Sequence, residues 1–142
     1  MKTPATKLND LMEDWRKTAI MAGVTVEIKD GSFVIESEKS QTMTLPKTVS
    51  SIDLNHAFIA VVRAQREEYR GYTIEPKLDF GTHAHLCNGA KYKTGWVVVK
   101  DGCNAMPGAV WFTLRRKARH AIDALIDVDG DAGEFWKRVR AA

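Results

Sequence analysis

The spacing of apolar residues in the first third of the chain changes from a helical period to an alternating one. Apolar residues that recur at intervals of three and four predict an amphipathic helix, with Pro4 near its first turn and Gly23 near its end. These residues are Leu8, Leu11, Met12, Trp15 and Ala19. Apolar and polar residues then alternate on both sides of Asp30-Gly31, which predicts a β-hairpin that turns at this dipeptide.

The next segment predicts a short strand and then a long helix. The letters TMTLP read as a third strand that stops at Pro46. A helix is predicted from about Ser51, its N-cap, to Tyr69. Its apolar residues are Ile52, Leu54, Phe58, Ile59, Val61 and Val62. A helix with so wide an apolar face is expected to be central to the core.

The second half of the chain begins with segments that are rich in aromatic and β-branched residues. GYTIEP, TGWVVVK and AVWF predict strands, and DGCNAMPG is a turn region. Another strand, flanked by loops, is predicted around His83–Cys87.

Two helices are predicted to follow. Thr113 is the expected cap of the first, whose core face is Leu114, Ala118, Ala121, Ile122 and Leu125. The second starts at about Asp131, because Asp131 and Glu134 have the spacing of a capping box. The residues expected to pack inward from it are Phe135, Trp136 and Val139.

The order of elements predicts the α+β class. It is α-β-β-(β)-α followed by β-β-β-α-α, which is typical of an antiparallel sheet packed against helices. We expect an N-terminal half, residues 1–68, and a C-terminal half, residues 69–142, that together form one compact domain.

Charge is distributed unevenly along the 142 residues. The net charge is only +3, but residues 69–122 carry nine cationic and three anionic side chains. Neither a secretory signal nor an apolar run long enough to cross a bilayer is recognised, which predicts a soluble cytoplasmic protein without a membrane partner. The positive excess in one segment predicts a basic patch.

The start of the predicted helix after Thr113 is the candidate centre of that patch. Arg115, Arg116 and Arg119 share the face opposite the apolar one, and Lys117 lies on the other flank. One interpretation is a solvated face in which Arg119 pairs with Asp123 at i+4. The other is a site for phosphate or acidic protein groups, to which Lys91, Lys93 and Lys100 contribute.

A second set of residues raises the alternatives of a metal site and of a catalytic site. His83, His85 and Cys87 alternate, so a strand would point all three to one face, and Cys103 follows later; these are side chains that zinc prefers. No paired ligand motif accompanies them, so ordinary strand and loop roles are favoured over a metal site or a small hydrolase. No catalytic motif is found. The chain is therefore predicted to be a non-enzyme without a cofactor.

Residues 69–126, YRGYTI…GWVVVKDG…PGAVWFTLRRKARHAIDAL, resemble the ends of small proteins encoded by proteobacterial phages and prophages. In those proteins two strands precede a helix with the pattern W-F-x-T-x-x-x-A-x-x-x-I-D. Counter-defence factors such as anti-CRISPR proteins belong to this group. The resemblance implies a protein without catalytic residues that covers a nucleic-acid or protein surface of a host complex.

A second resemblance is to double-stranded RNA-binding domains. It rests on the order of helix 51–68, three strands and helix 114–126, and on RRKAR at 115–119, which can be overlaid on that family's basic K-K-x-A-K helix start. This resemblance implies phosphate contacts for Arg115, Arg116 and Arg119. The family's G-P-x-H loop is matched only by GTH at 81–83.

Two functions therefore stay open. The first is a phage-type binding protein that blocks or modulates a host nucleic-acid-handling complex through its basic surface. The alternative is direct, mostly sequence-independent binding of double-stranded DNA or RNA. A homodimer is compatible with both.

Overall fold

A computed structural model describes residues 2–78 and 94–141 of the protein. These residues form four α-helices and two antiparallel sheets, which confirms the predicted α+β class. They divide into two compact units, with a boundary between Gln65 and Arg66. Leu78 and Thr94 belong to the first unit, and residues 66–77 and 95–141 form the second. The division after residue 68 into halves of one compact domain stays a prediction.

The first unit contains two helices and a three-stranded sheet. Helix α1 spans Pro4–Ala22, strands β1, β2 and β3 span Thr25–Lys29, Ser32–Glu36 and Met43–Leu45, and helix α2 spans Ser51–Ala64. The sheet order is β1-β2-β3. Helix α1 begins where the Thr3 hydroxyl accepts a hydrogen bond from the backbone N–H of Thr6. It ends at Gly23, which adopts the left-handed conformation as predicted.

The core of the first unit is formed by one face of each helix and one face of the sheet. Its fully buried side chains include Phe33, Ile35, Leu54, Phe58 and Val62. Phe33 and Ile35 alternate with partly exposed residues on β2, as the period of two predicts. The central role predicted for α2 is confirmed by its buried residues.

The second unit contains a four-stranded sheet and two helices. Strands β4, β5, β6 and β7 span Glu67–Tyr69, Tyr72–Pro76, Trp96–Lys100 and Cys103–Asn104, and they pair in that order. A short 3₁₀ turn covers Pro107–Ala109, helix α3 spans Arg115–Asp127, and helix α4 spans Ala132–Ala141. Helix α3 packs on β5 and β6 and against α4. The buried centre contains Ile74, Val98, Ala121, Ile122 and Phe135.

The strands of the β1–β2, β4–β5 and β6–β7 hairpins are joined by tight turns of the same type. Asp30 and Gly31 have φ angles of 52° and 78°. Two consecutive positive values are the geometry of a type I′ turn, which matches the twist of the flanking strands. The same geometry recurs at Arg70-Gly71 and at Asp101-Gly102. The turns at Arg70-Gly71 and Asp101-Gly102 fix the registers of the β4–β5 and β6–β7 pairs in the sheet of the second unit.

The predicted start of the central helix at about Ser51 is confirmed, whereas its predicted N-cap and its predicted end at Tyr69 were wrong. The N-cap is Ser50, whose hydroxyl accepts from the N–H of Asp53, and Ser51 is the first helical residue. The helix ends at Ala64, and the buried Gln65 side chain then donates hydrogen bonds to the Val61 carbonyl, 2.9 Å away, and to serine hydroxyls of the β2–β3 loop.

Two further details of the central segment differ from the prediction. Glu67–Tyr69, expected as the helix end, pairs with β5 as a strand. Ile52 is 68% exposed, because it lies about 200° around the helix from the buried Leu54.

The predicted start of α3 was also wrong. Phe112 forms an isolated antiparallel bridge with Trp96, so AVWF contributes one bridge and no full strand. The chain bends at Thr113 and Leu114 after this bridge, and Leu114 is the N-cap, with an extended backbone (φ −132°, ψ 144°) and no side-chain capping bond. The predicted cap, Thr113, and the core role of Leu114, which is 42% exposed, are therefore corrected. The Asp131 cap of α4 is confirmed by its hydrogen bond from the N–H of Glu134.

Candidate partner-binding surface at the start of helix α3

The start of α3 is anchored to the sheet by a close backbone contact. The N–H groups of Trp96 and Phe112 each donate to the other residue's carbonyl, at 2.6 and 2.8 Å. Gly95 lies directly beneath Trp111, since a Cβ at Gly95 would come within 2.4 Å of the indole ring and 2.5 Å of the Phe112 carbonyl oxygen. Glycine is required at position 95 because the Trp111 ring and the Phe112 carbonyl oxygen leave no room for a side chain, and not because of its backbone angles. The direction of the chain into α3 is thereby fixed.

Arg115, the first helical residue, is held by an aromatic ring of the sheet. Its guanidinium carbon lies 4.3 Å from the centre of the Trp96 ring, which is itself buried. A cation over an aromatic face is attracted by the ring's negative electrostatic potential. Arg115 thus has a contact within its own unit and is only partly exposed.

Arg119 is held by a long-range ion pair. One of its guanidinium nitrogens lies 2.9 and 3.0 Å from the two carboxylate oxygens of Glu67 on β4. The Arg119–Asp123 pair predicted from their i+4 spacing is not formed, and Asp123 instead accepts hydrogen bonds from Arg70 and from the Tyr69 hydroxyl. Arg119 therefore joins α3 to the edge strand of its sheet.

The Asp123 contacts shift the pKa values of three groups, and the hydrogen bond to Asp123 raises the pKa of the Arg70 guanidinium. The hydrogen bond from Arg70 holds the pKa of the Asp123 carboxyl below its ordinary value, and the Tyr69 hydroxyl adds to the effect. The same hydrogen bond to Asp123 raises the pKa of the Tyr69 phenol. Both shifts favour the ionised carboxylate and the neutral phenol at neutral pH. Tyr69 and Arg70 both donate hydrogen bonds to Asp123, and these contacts join α3 to the β4–β5 hairpin.

Arg116 and Lys117 are the two cations of the group that the described residues leave unpaired. Both side chains are exposed, and neither forms an ion pair or ring contact with any residue in 2–78 or 94–141. They line a groove of about 490 Å³ together with Phe112, His120 and Val139. We call this feature the α3 groove. Its described lining comprises one aromatic and one aliphatic side chain, two permanent cations and one imidazole.

The backbone reinforces the positive potential at this end of the groove. Helix α3 has no side-chain N-cap and no acidic residue in its first turn. The leading N–H groups of a helix carry partial positive charge, and here the cationic side chains add to it. An anionic group is the complementary ligand for such a surface.

Of the other predicted members of the patch, the described Lys100 does not reach the α3 groove. Lys100 lies at the far end of β6 from Trp96, about 13 Å along the strand, and its ammonium is 4.7 Å from the centre of the Tyr72 ring. Lys91 and Lys93 lie outside the described residues. The basic surface that the structure describes is therefore smaller than the one expected from the sequence.

Of the predicted metal ligands, only Cys103 is described. It is an exposed free thiol on β7. The strand predicted around residues 83–87, with His83, His85 and Cys87, lies outside the described ranges. Within residues 2–78 and 94–141, no group of three or more His, Cys, Asp or Glu side chains could hold a metal ion.

Three residues of the α3 groove were missed as site residues. Phe112 was expected only as part of a strand and Val139 only as an inward-packing residue, whereas both contribute to the lining of an open groove. His120 had a usable signal, because it lies one helical turn after Arg116 and shares its face. The contribution of α4 could be found only once its packing against α3 was known.

Comparison of the chain with protein-family models, curated proteins and solved structures finds no match. Among the helices that the structure describes, none has the length and apolar character needed to cross a bilayer.

Proposed function

We propose that this protein is a non-catalytic binding protein that blocks or modulates a host nucleic-acid-handling complex, in the manner of anti-CRISPR proteins. The observation that carries the proposal is the pair of exposed cations, Arg116 and Lys117, at the uncapped start of α3. They face an open groove and have no partner among the described residues. The targets of such proteins are cytoplasmic complexes, so the proposal implies a cytoplasmic protein.

The position of these cations supports a role in binding. A cation in the first turn of a helix is unfavourable by about 0.3–1 kcal/mol when exposed. Arg115 and Arg119 offset this through Trp96 and Glu67, whereas Arg116 and Lys117 have no such compensation within the described residues. The carboxylates of an acidic partner would supply this compensation to Arg116 and Lys117. The binding role is therefore assigned to Arg116 and Lys117, and Arg115 and Arg119 are assigned to the fold.

Direct binding of duplex DNA or RNA is the alternative, and the small number of unpaired cations that the described residues place at the α3 groove counts against it. Affinity for a duplex falls with salt in proportion to the number of neutralised phosphates. Two contacts give a logarithmic slope of about −1.8, so a fourfold rise in salt would weaken binding only about tenfold. Proteins that bind duplexes firmly make about six to ten such contacts. A small acidic patch on a protein matches the α3 groove better.

The proposal can be tested by plaque formation. Bacteria with an active CRISPR system are infected by a phage that the system targets, with and without expression of this protein. We expect the wild-type protein to restore plaques on at least one host of a panel of CRISPR types, and the Arg116→Gln/Lys117→Gln variant to fail. Failure of the wild-type protein on every host would refute counter-defence against CRISPR systems.

A matched control separates the site from net charge. The Lys47→Gln/Lys137→Gln variant loses the same number of charges at exposed positions outside the α3 groove, and it should retain activity. Fluorescence anisotropy with labelled duplex DNA and duplex RNA completes the test. Salt-sensitive duplex binding that is lost only in the Arg116→Gln/Lys117→Gln variant would favour the alternative function.

A further inference from the structure

We infer that the α3 groove binds a short acidic peptide segment of the partner protein, with a large apolar side chain seated between Phe112 and Val139 and carboxylates on Arg116 and Lys117. The inference rests on the proposed function and specifies the chemistry that the partner must present.

The apolar part of the groove comes from two separate elements. Phe112 stands at the bridge to β6, and Val139 lies on the last part of α4. Both side chains are partly exposed, so they leave apolar surface open to solvent in a groove of about 490 Å³. Binding sites are usually concave and mainly apolar with a few polar groups that orient the ligand. Burial of one aliphatic or aromatic side chain here would provide the non-directional part of the affinity.

The charged part of the groove lacks a neutralising group. None of its described lining residues is acidic. Two acidic residues that lie on α3 or contact it are already engaged, since Glu67 binds Arg119 and Asp123 binds Arg70. Arg116 and Lys117 therefore keep their positive potential at the groove. Carboxylates that flank an apolar side chain match this arrangement of charge.

A peptide fits the combination of features better than a duplex does. The outermost surface of a duplex presents phosphates and sugars, and the small thymine methyl group lies within the major groove, so a duplex offers no large apolar side group to the surface between Phe112 and Val139. A peptide presents carboxylates and an apolar side chain within a few residues of one another. Single-stranded nucleic acid can stack a base on an aromatic ring, and it is the competing ligand in the test below.

The experiment is a titration of isotope-labelled full-length protein, followed by backbone amide NMR shifts. The probe is the synthetic peptide Gly-Glu-Asp-Leu-Phe-Glu-Asp-Gly. One control peptide replaces Leu-Phe by Ser-Ser, and a second replaces every acid by its amide. Oligothymidine is titrated separately. We expect saturable shifts confined to the start of α3 and the end of α4, and much weaker binding of both control peptides.

Variants locate the site independently of the peptide controls. Arg116→Gln/Lys117→Gln should raise the dissociation constant of the peptide about tenfold, as the loss of two exposed ion pairs predicts. Val139→Thr keeps the shape of the side chain and should weaken binding about fourfold through its lost apolar contact. Lys47→Gln/Lys137→Gln should bind like the wild type. The amide spectrum of each variant also reports whether it is folded.

The outcomes distinguish this inference from the proposed function. Peptide binding that needs both the acids and the Leu-Phe pair supports the inference. No shifts, shifts elsewhere, or equal binding of the Ser-Ser peptide overturn it, and so does preferred binding of oligothymidine at the same residues. If plaques are restored through Arg116 and Lys117 but the peptide does not bind, the proposed function survives and the peptide inference fails. Peptide binding without any plaque effect would refute counter-defence and leave the groove's ligand class supported.

Discussion

Arg116 stands where the partial positive charge of a helix start disfavours a cation, so its replacement should stabilise the free protein. It is the second residue of α3, exposed, and without an ion-pair partner among the described residues. Removing an unfavourable charge there, or adding a favourable one, changes the free energy of unfolding by about 0.3–1 kcal/mol each. Arg116→Glu does both. We expect it to raise the free energy of unfolding by about 1 kcal/mol.

Urea and thermal unfolding followed by tryptophan fluorescence would measure this change. Trp96, Trp111 and Trp136 belong to the unit that contains α3, while Trp15 belongs to the other, so most of the signal reports on the relevant unit. For a chain of this size, a gain of 1 kcal/mol raises the melting temperature by roughly 2–4 °C. Arg116→Gln, which only removes the charge, should give about half that gain.

Salt dependence checks the electrostatic origin of the effect. The screening length falls from about 10 Å at 0.1 M salt to about 3 Å at 1 M, so the gain from Arg116→Glu should shrink markedly at high salt. A loss of stability in Arg116→Glu, or a gain that salt leaves unchanged, would refute the reasoning. The first result would mean that Arg116 makes a stabilising contact. The second would mean that helix propensity or packing, and not charge, produces the gain.

Three further predictions test packing, capping and electrostatic contacts within the two units. Gly95→Ala should destabilise the protein by about 1–3 kcal/mol in urea unfolding, because its Cβ would overlap the Trp111 ring, and wild-type stability would contradict this packing. Ser50→Ala should lose about 1 kcal/mol as the N-cap of α2, whereas Ser51→Ala should change little; equal losses would contradict the assigned cap. The Asp123 carboxyl has a lowered pKa in the folded state, so its stabilisation is present above the ordinary value of about 3.9 and is lost as the pH falls. Wild type should therefore be more stable than Asp123→Asn at neutral pH, and urea midpoints should converge in acid; a constant difference would contradict the shift.

Local signals in the sequence were enough to predict most elements of the fold. The first helix, the Asp30-Gly31 hairpin and the strand before Pro46 each depend on residues close together in the chain. The failures lie where distant residues decide the outcome. The end of α2 depends on the contacts of the buried Gln65 with the β2–β3 loop, and the start of α3 depends on the Trp96–Phe112 bridge.

At the candidate site, too, contacts between residues far apart in the chain could not be predicted from the sequence. Helical spacing predicted that Arg115, Arg116 and Arg119 lie opposite the apolar face, and Arg116 is exposed, but spacing could not predict that Arg115 contacts Trp96 or that Arg119 pairs with Glu67. Glu67 lies 52 residues before Arg119 in the chain, but β4 brings its carboxylate to 2.9 Å from an Arg119 guanidinium nitrogen. Arg119 therefore pairs with Glu67 and not with Asp123, which is closer in sequence. Trp96 reaches Arg115 through the sheet in the same way.

The unpaired cations are informative because these long-range contacts account for their neighbours. Four charges at a helix start could all be incidental, since each is only mildly unfavourable. Once Arg115 and Arg119 have contacts within the fold, what distinguishes Arg116 and Lys117 is that we expect them to reduce stability and that they line an open groove. Residues that break a local rule without a compensating contact concentrate at functional sites. A binding role therefore requires two results together. Arg116→Glu must raise the free energy of unfolding, and Arg116→Gln/Lys117→Gln must lose binding; neither result alone would establish the role.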